Sequence, residues 1–145
     1  MFNALELVSR AMQMAASGQV AEAESALRSG LAQAPTDAEM NRALGAVLRQ
    51  RGLANDAAEC LKRAADSAPK RPELWYELGM CLAVAQRFAE SATALERALQ
   101  LAPQAVQLYE LLGQVLAHSG EHTKACRILM KGLRLQPQNT FMAQG

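Results

Sequence analysis

Four of the five prolines in this chain lie 34 residues apart, at Pro35, Pro69, Pro103 and Pro137. Two columns of glycines repeat at the same interval: Gly45, Gly79 and Gly113, and Gly18, Gly52 and Gly120. Proline and glycine mark places where a chain stops or turns, so they divide the sequence into equal units. A period of this length predicts a tandem array of helical hairpins.

The composition agrees with a helical array. Hydrophobic residues make up 50% of the 145 residues but aromatic residues only 4%, so the apolar mass is mostly alanine, leucine, valine and methionine. These are mostly helix formers. The 15 Lys and Arg nearly balance the 14 Asp and Glu, which leaves no charge excess to attract nucleic acid or an anionic membrane. We therefore expect neither nucleic acid nor a membrane as a partner.

Aligned on the prolines, the units run at about 4–37, 38–71, 72–105 and 106–139. In the third unit, the stretch from Trp75 to Leu82 (WYELGMCL) resembles the W-x2-L-G-x2-Y opening of the tetratricopeptide repeat (TPR), with Leu82 in place of the tyrosine. Leucines fill the family's large apolar column at Leu27, Leu61, Leu95 and Leu129. The first unit departs most from the pattern, since Arg10 and Ala11 replace the Leu-Gly pair.

This resemblance implies an all-α fold: a single domain over 1–145, an α-solenoid (TPR superhelix) of stacked antiparallel helix hairpins with about eight helices. Trp75, Leu78, Gly79 and Leu82 form one stripe at the helical period, which we expect to face the partner helix. Gly79 predicts a close approach of the two helices that a Cβ would block. Helix ends are predicted from the glycines between helices and from Asp37, Asn139 and Pro72 at helix starts.

The last six residues, 140–145, are either a tail or the start of a truncated fifth unit. The final helix is rich in apolar residues for an end unit: Ile128, Leu129, Met130, Leu133 and Leu135. Three interpretations stay open at this point. The chain is a fragment of a longer protein, or its end pairs with another copy of itself as a homo-oligomer, or Phe141 and Met142 fold back as a cap.

No pattern of catalytic or metal-binding residues is found in the sequence. Cys60, Cys81 and Cys126 form no CxxC pair, and we expect all three to be small core residues in a reducing, cytoplasmic setting. His118 and His122 are four residues apart, but the turn at Gly120 separates them, so no metal pair is expected. We predict no cofactor, no metal and no enzymatic activity.

In TPR proteins the first helix of each hairpin lines a concave groove that holds peptides or helices, and the resemblance implies the same here. One residue beyond the packing stripe, a rotation of about 100°, lies a second set of columns that cannot face the partner helix. The candidate partner-binding residues on this face are Val8, Met12, Arg42, Arg49, Tyr76, Glu77, Met80, Glu110 and Gln114.

We hypothesise a peptide or helix with an apolar group near Tyr76 and Met80 and an acidic group near Arg42 and Arg49. The alternative is that Arg42 pairs with Glu39 or Glu73 and that this surface binds nothing in particular. The predicted function is a non-enzymatic protein-interaction scaffold. Two alternatives remain: an N-terminal substrate-recognition array of a larger enzyme, an arrangement common in bacterial TPR proteins, and a self-assembling oligomerisation module.

Overall fold

The computed structural model describes residues 3–135, which fold into eight α-helices without a strand. The helices are α1 (Ala4–Ala16), α2 (Val20–Gln33), α3 (Ala38–Gln50), α4 (Ala54–Ser67), α5 (Pro72–Val84), α6 (Phe88–Leu101), α7 (Val106–His118) and α8 (His122–Arg134). Each helix packs on the next one along the chain, and short connections make neighbours antiparallel. The predicted all-α solenoid of stacked hairpins is confirmed.

The helices begin and end for local chemical reasons. The Asp37 side chain accepts a hydrogen bond from the Met40 N–H at 2.9 Å and caps α3. Pro72 occupies the first turn of α5, where its missing N–H costs nothing. Both starts were predicted, whereas the predicted cap at Asn139 and the proposed roles of 140–145 lie outside the described residues.

Four turns between paired helices place one residue in the left-handed region. Glycine fills this position at Gly18, Gly52 and Gly120, with φ of 92°, 81° and 87°. The third hairpin has Gln86 instead, and its φ is 63°. The backbone conformation is therefore kept even where glycine is missing, although a side chain there is strained.

Leucine side chains fill the space opposite the in-helix glycines. A Cβ built on Gly79 would lie 2.6 Å from Leu95 Cδ2, and one on Gly45 would lie 2.9 Å from Leu61 Cγ. Such distances are shorter than any real carbon contact, so the two helices of each hairpin approach as closely as glycine allows. The close approach predicted at Gly79 is confirmed.

A side-chain hydrogen bond to a proline carbonyl fixes the start of three hairpins. Trp75 Nε1–H donates to the Pro69 carbonyl at 2.9 Å, and the Tyr109 hydroxyl donates to the Pro103 carbonyl at 2.8 Å. In the second hairpin the buried amide of Asn41 donates to the Pro35 carbonyl at 3.0 Å. Three different side chains thus hydrogen-bond to the proline carbonyl at the equivalent position of successive units. This explains why Asn41 can occupy the column that holds Trp75 and Tyr109 in the next two units.

The first helices of the hairpins lie on the inner side of the curve. Among residues 3–135, α1 contacts α3 and α5 contacts α7, whereas the second helices of successive hairpins approach less closely. Clefts therefore open between α2 and α4 and between α4 and α6 on the opposite, convex side. The α1, α3, α5 and α7 surface is the concave groove of this array.

Candidate partner-binding groove

The groove residues predicted from the sequence differ in exposure along the array. At the N-terminal part Val8 is half-buried and Met12 is 38% exposed. In the middle Arg42, Tyr76, Glu77 and Met80 are half-buried, while Arg49 is exposed. At the C-terminal part Glu110 and Gln114 are exposed. A binding surface must be accessible, and none of the nine residues is fully buried. They do not, however, form one continuous patch in contact with each other.

Arg42 on α3 and Glu77 on α5 form the central contact of the groove. Arg42 Nε donates to Glu77 Oε2 at 2.8 Å, and Arg42 Nη2 donates to Glu77 Oε1 at 3.1 Å. The hydrogen bond to Glu77 raises the pKa of the guanidinium despite its partial burial. This two-point pairing holds the planes of both groups together and spans the space between the two helices.

The alternative pairing of Arg42 with Glu39 or Glu73 is wrong. Both carboxylates instead pair with Arg71, which lies just before α5: Arg71 Nη1 donates to Glu39, and Arg71 Nε donates to Glu73 at 2.8 Å. The Arg71 guanidinium lowers the pKa of the Glu73 carboxyl. Because Arg42 is already neutralised by Glu77, Arg49 is the one of the two predicted arginines that remains for the acidic group of a ligand.

Arg49 lies beside this ion pair but belongs to no ion pair among residues 3–135. It shares a shallow depression with Arg42, Gly45, Ala46 and Glu77. Its side chain is exposed. Arg49 is also near enough to Cys81 to oppose the rise in thiol pKa that burial causes there. Within the described residues, the groove therefore presents one arginine that is in no ion pair, close to Glu77 and Cys81 of α5.

Tyr76 and Met80 form the apolar part of the middle groove. They are one turn apart on α5, and both keep part of their surface exposed. Tyr76 packs against the buried cluster formed by α6, α7 and α8, which holds its ring in place. A partly exposed aromatic side chain that is already ordered loses little conformational entropy on binding.

The histidines and cysteines take structural positions. His118 stacks on Phe88 with ring centroids 5.3 Å apart, and His122 begins the next helix. Cys60 and Cys81 are buried, as predicted, and burial raises the pKa of both thiols. Cys126 is exposed, so its prediction as a core residue is wrong. Its column faces the next hairpin, and among the described residues nothing follows α8.

No group of three or more His, Cys, Asp or Glu side chains within residues 3–135 is arranged to hold a metal ion. The same part of the chain contains no helix both long and apolar enough to cross a membrane.

The convex face carries a cleft that the repeat pattern did not predict. Its volume is about 740 Å³, and Trp75 lines it between α4 and α6. The Arg97 guanidinium lies 5.2 Å from the centroid of the Trp75 ring, in cation–π geometry. The signal available in the sequence was the position of Arg97, about two and a half turns after the start of α6. The cleft itself depends on how far the second helices diverge.

Comparison with known proteins decides the family. The tetratricopeptide repeat model matches residues 47–105 and 84–140, which together cover more than half of the chain. The chain belongs to the tetratricopeptide repeat family. No curated protein matches this TPR chain in sequence.

Solved TPR structures resemble the array closely. A crystal structure of MamA has a TM-score of 0.82 with 19% sequence identity over 92% of this chain and 78% of the MamA chain. MamA 41-end from Desulfovibrio magneticus RS-1 has a TM-score of 0.80 with 20% identity over 91% of this chain and 75% of that chain. At this level of identity the likeness establishes the TPR fold, and the function must be argued from the residues.

Proposed function

We propose that this TPR protein is a non-enzymatic scaffold that holds a peptide or helix of a partner protein in its concave groove. Membership of the TPR family and the solenoid fold support a protein-interaction scaffold in general. The choice of the groove and of the ligand chemistry rests on the residues of α3 and α5.

The observation that carries this proposal is the exposed Arg49, which has no carboxylate partner among residues 3–135, on the helix facing Tyr76 and Met80. Arg42 and Glu77 already satisfy each other, so a ligand does not need to break their pairing. Tyr76 shares its repeat column with Arg42, so Arg49 lies about two helical turns farther along the groove than Tyr76. Arginine and tyrosine are both enriched at interaction hot spots. The ligand we propose carries a carboxylate for Arg49 and an apolar side chain for Tyr76 and Met80.

The ion pair of Arg42 and Glu77 prepares this site. It joins α3 to α5 where the two helices make few other close contacts, so it fixes the width of the groove at the position of the ligand. A groove with a fixed width avoids the cost of ordering its walls when the ligand binds. Arg42 therefore acts on the ligand by positioning the groove.

The test compares capture of proteins from a native lysate by three immobilised forms: the natural protein, Arg49→Glu with Tyr76→Ala, and Arg63→Glu with Thr93→Ala. The last pair makes the same charge reversal and a smaller truncation to alanine at exposed positions of the convex side. We expect a partner whose captured amount falls at least tenfold with the groove variant and stays unchanged with the convex-side variant. Raised salt should release this partner, because the charge of the exposed Arg49 is screened by salt. Equal capture by all three folded forms would contradict the proposal.

A further inference from the structure

The two ends of the array have opposite chemistry. Three columns of the first helices are apolar and buried inside the array: Met40, Leu74 and Leu108; Leu44, Leu78 and Leu112; Val47, Cys81 and Val115. In α1 the same three columns hold Glu6, Arg10 and Gln13. All three are exposed, and Glu6 pairs with Arg10 at 3.8 Å. The N-terminal end is therefore closed by a polar surface.

The C-terminal end has no such polar surface among the described residues. We define the C-terminal face as Cys126, Leu129, Met130 and Leu133 of α8. Leu133 is 66% exposed, Met130 is 54% exposed and Leu129 is 37% exposed. The equivalent residues of α4 for Cys126, Leu129 and Leu133 are Ala58, Leu61 and Ala65, which are 2%, 3% and 0% exposed, whereas the equivalent of Met130 is the exposed Lys62. The columns of Cys126, Leu129 and Leu133 are thus covered inside the array and uncovered on α8, and Met130 adds an apolar side chain in a column that is exposed throughout.

Cations lie around this apolar surface. Helix α8 contains Lys124, Arg127, Lys131 and Arg134, and no Asp or Glu occurs from residue 122 onward. Lys124 pairs with Glu121 at 3.2 Å, before the helix begins. Arg134 stands in the column of Asp66, an exposed residue of α4 that lines both the cleft toward α2 and the cleft toward α5 and α6. A binding partner at this end would meet positive charge around an apolar centre.

These observations also select the partner. A second copy cannot stack head to tail, because its N-terminal face would bury the Glu6 and Arg10 pair against leucine and methionine. A tail-to-tail dimer would bring the cations of two α8 helices together. We propose that the C-terminal face binds an amphipathic helix of another protein, with apolar residues spaced i, i+4 and i+7 and with acidic residues beside them.

The geometry of this complex follows from the array itself. The apolar residues Leu74, Leu78 and Cys81 of α5 have this spacing and pack toward the preceding hairpin. Glu73 and Glu77 give α5 its negative charge, but Glu77 pairs there with Arg42 of α3 and not with α4, and the residue of α7 in the column of Arg42 is Glu110. The proposed partner helix would lie on α8 as α5 lies on α4. This second interface is separate from the concave groove, so either one can fail without the other.

The probe is a labelled synthetic peptide of residues 71–85 with Cys81→Val, the residue found in that column at Val47 and Val115. A control peptide carries Leu74→Glu, Leu78→Arg and Cys81→Gln, which copies α1 at the three columns and keeps the net charge. We expect fluorescence anisotropy to show binding of the first peptide by the full chain, and at least tenfold weaker binding of the control peptide.

Variants of the protein then locate the site. Leu133→Glu should weaken binding of the first peptide at least tenfold, whereas Leu5→Glu should leave it unchanged, because Leu5 is equally exposed, at 68%, but lies on α1. Equal binding of both peptides, or no binding, would overturn the proposal. A dimer in sedimentation velocity that Leu133→Glu dissociates would also overturn it, since the occupant would then be a second copy. Peptide binding that requires removal of residues 136–145 would overturn it too, since the occupant would then be the chain itself.

Discussion

Replacing glycine by alanine in the column of Gly45, Gly79 and Gly113 should change the stability of the protein by different amounts in different hairpins. The added Cβ would lie 2.6 Å from Leu95 Cδ2 at position 79 and 2.4 Å from Leu129 Cδ2 at position 113. Contact distance alone predicts that Gly113→Ala is the worse substitution. The surroundings of the two leucines predict the opposite order, because Leu95 is 0% exposed and Leu129 is 37% exposed.

The magnitudes come from two opposing effects. Alanine in place of glycine favours a helix by about 1 kcal/mol. Overpacking a tight interior costs about 1–3 kcal/mol, at the upper end where the neighbour cannot move. We therefore expect Gly79→Ala to lower the free energy of unfolding by about 1–2 kcal/mol. Gly113→Ala should change it by less than about 0.5 kcal/mol, because Leu129 can rotate toward solvent.

Urea unfolding followed by circular dichroism at 222 nm measures both changes, and a double-mutant cycle identifies their cause. Leu95→Ala removes the atoms that the new methyl group meets, so Gly79→Ala in that background should stabilise the protein by up to about 1 kcal/mol. A larger loss for Gly113→Ala than for Gly79→Ala, or an unchanged loss in the Leu95→Ala background, would refute the reasoning.

Three further predictions concern single groups. Tyr109→Phe removes the hydrogen bond to the Pro103 carbonyl and should cost about 1 kcal/mol in urea unfolding, whereas Tyr76→Phe, which removes no hydrogen bond within the described residues, should cost much less. A maleimide should label only Cys126 in the native protein and all three cysteines in urea, as counted by intact mass; rapid native labelling of the two buried thiols would contradict the structure. Arg28 lowers the pKa of the Glu24 carboxyl from its ordinary 4.5, so this stabilisation is present above pH 4.5 and is lost as the pH falls through the lower, folded-state pKa. The urea midpoint of the natural protein should therefore fall as the pH is lowered, and it should fall less steeply in Glu24→Gln. An unchanged slope would exclude Glu24 as the source of this fall.

The features predicted from sequence are those that depend on local chemistry. The cap at Asp37, the helix start at Pro72, the left-handed turns and the glycine contact at Gly79 each involve residues within one hairpin. A 34-residue period repeats such local rules along the chain, and the fold follows from stacking them. Even Gln86 keeps the conformation of its column, because the rest of the hairpin determines the turn.

The candidate site was less predictable, because it depends on contacts between hairpins. The partner of Arg42 is Glu77, 35 residues away, and choosing it over Glu39 or Glu73 requires the relative tilt of α3 and α5. Cys126 was assigned to the core from its column, but a column is buried only where a neighbouring hairpin covers it. Repeat alignment cannot show such end effects or the divergence of the second helices.

Site-specific photo-crosslinking in the groove tests the central claim most directly. A benzoylphenylalanine placed at position 76 replaces one aromatic group with another inside the groove, and the same group at position 93 lies on the exposed convex side. Crosslinking in a native lysate, followed by mass spectrometry of the joined peptides, should give from position 76 a partner segment with an acidic residue close to an apolar one. Partner crosslinks from position 93 but none from position 76 would contradict the account.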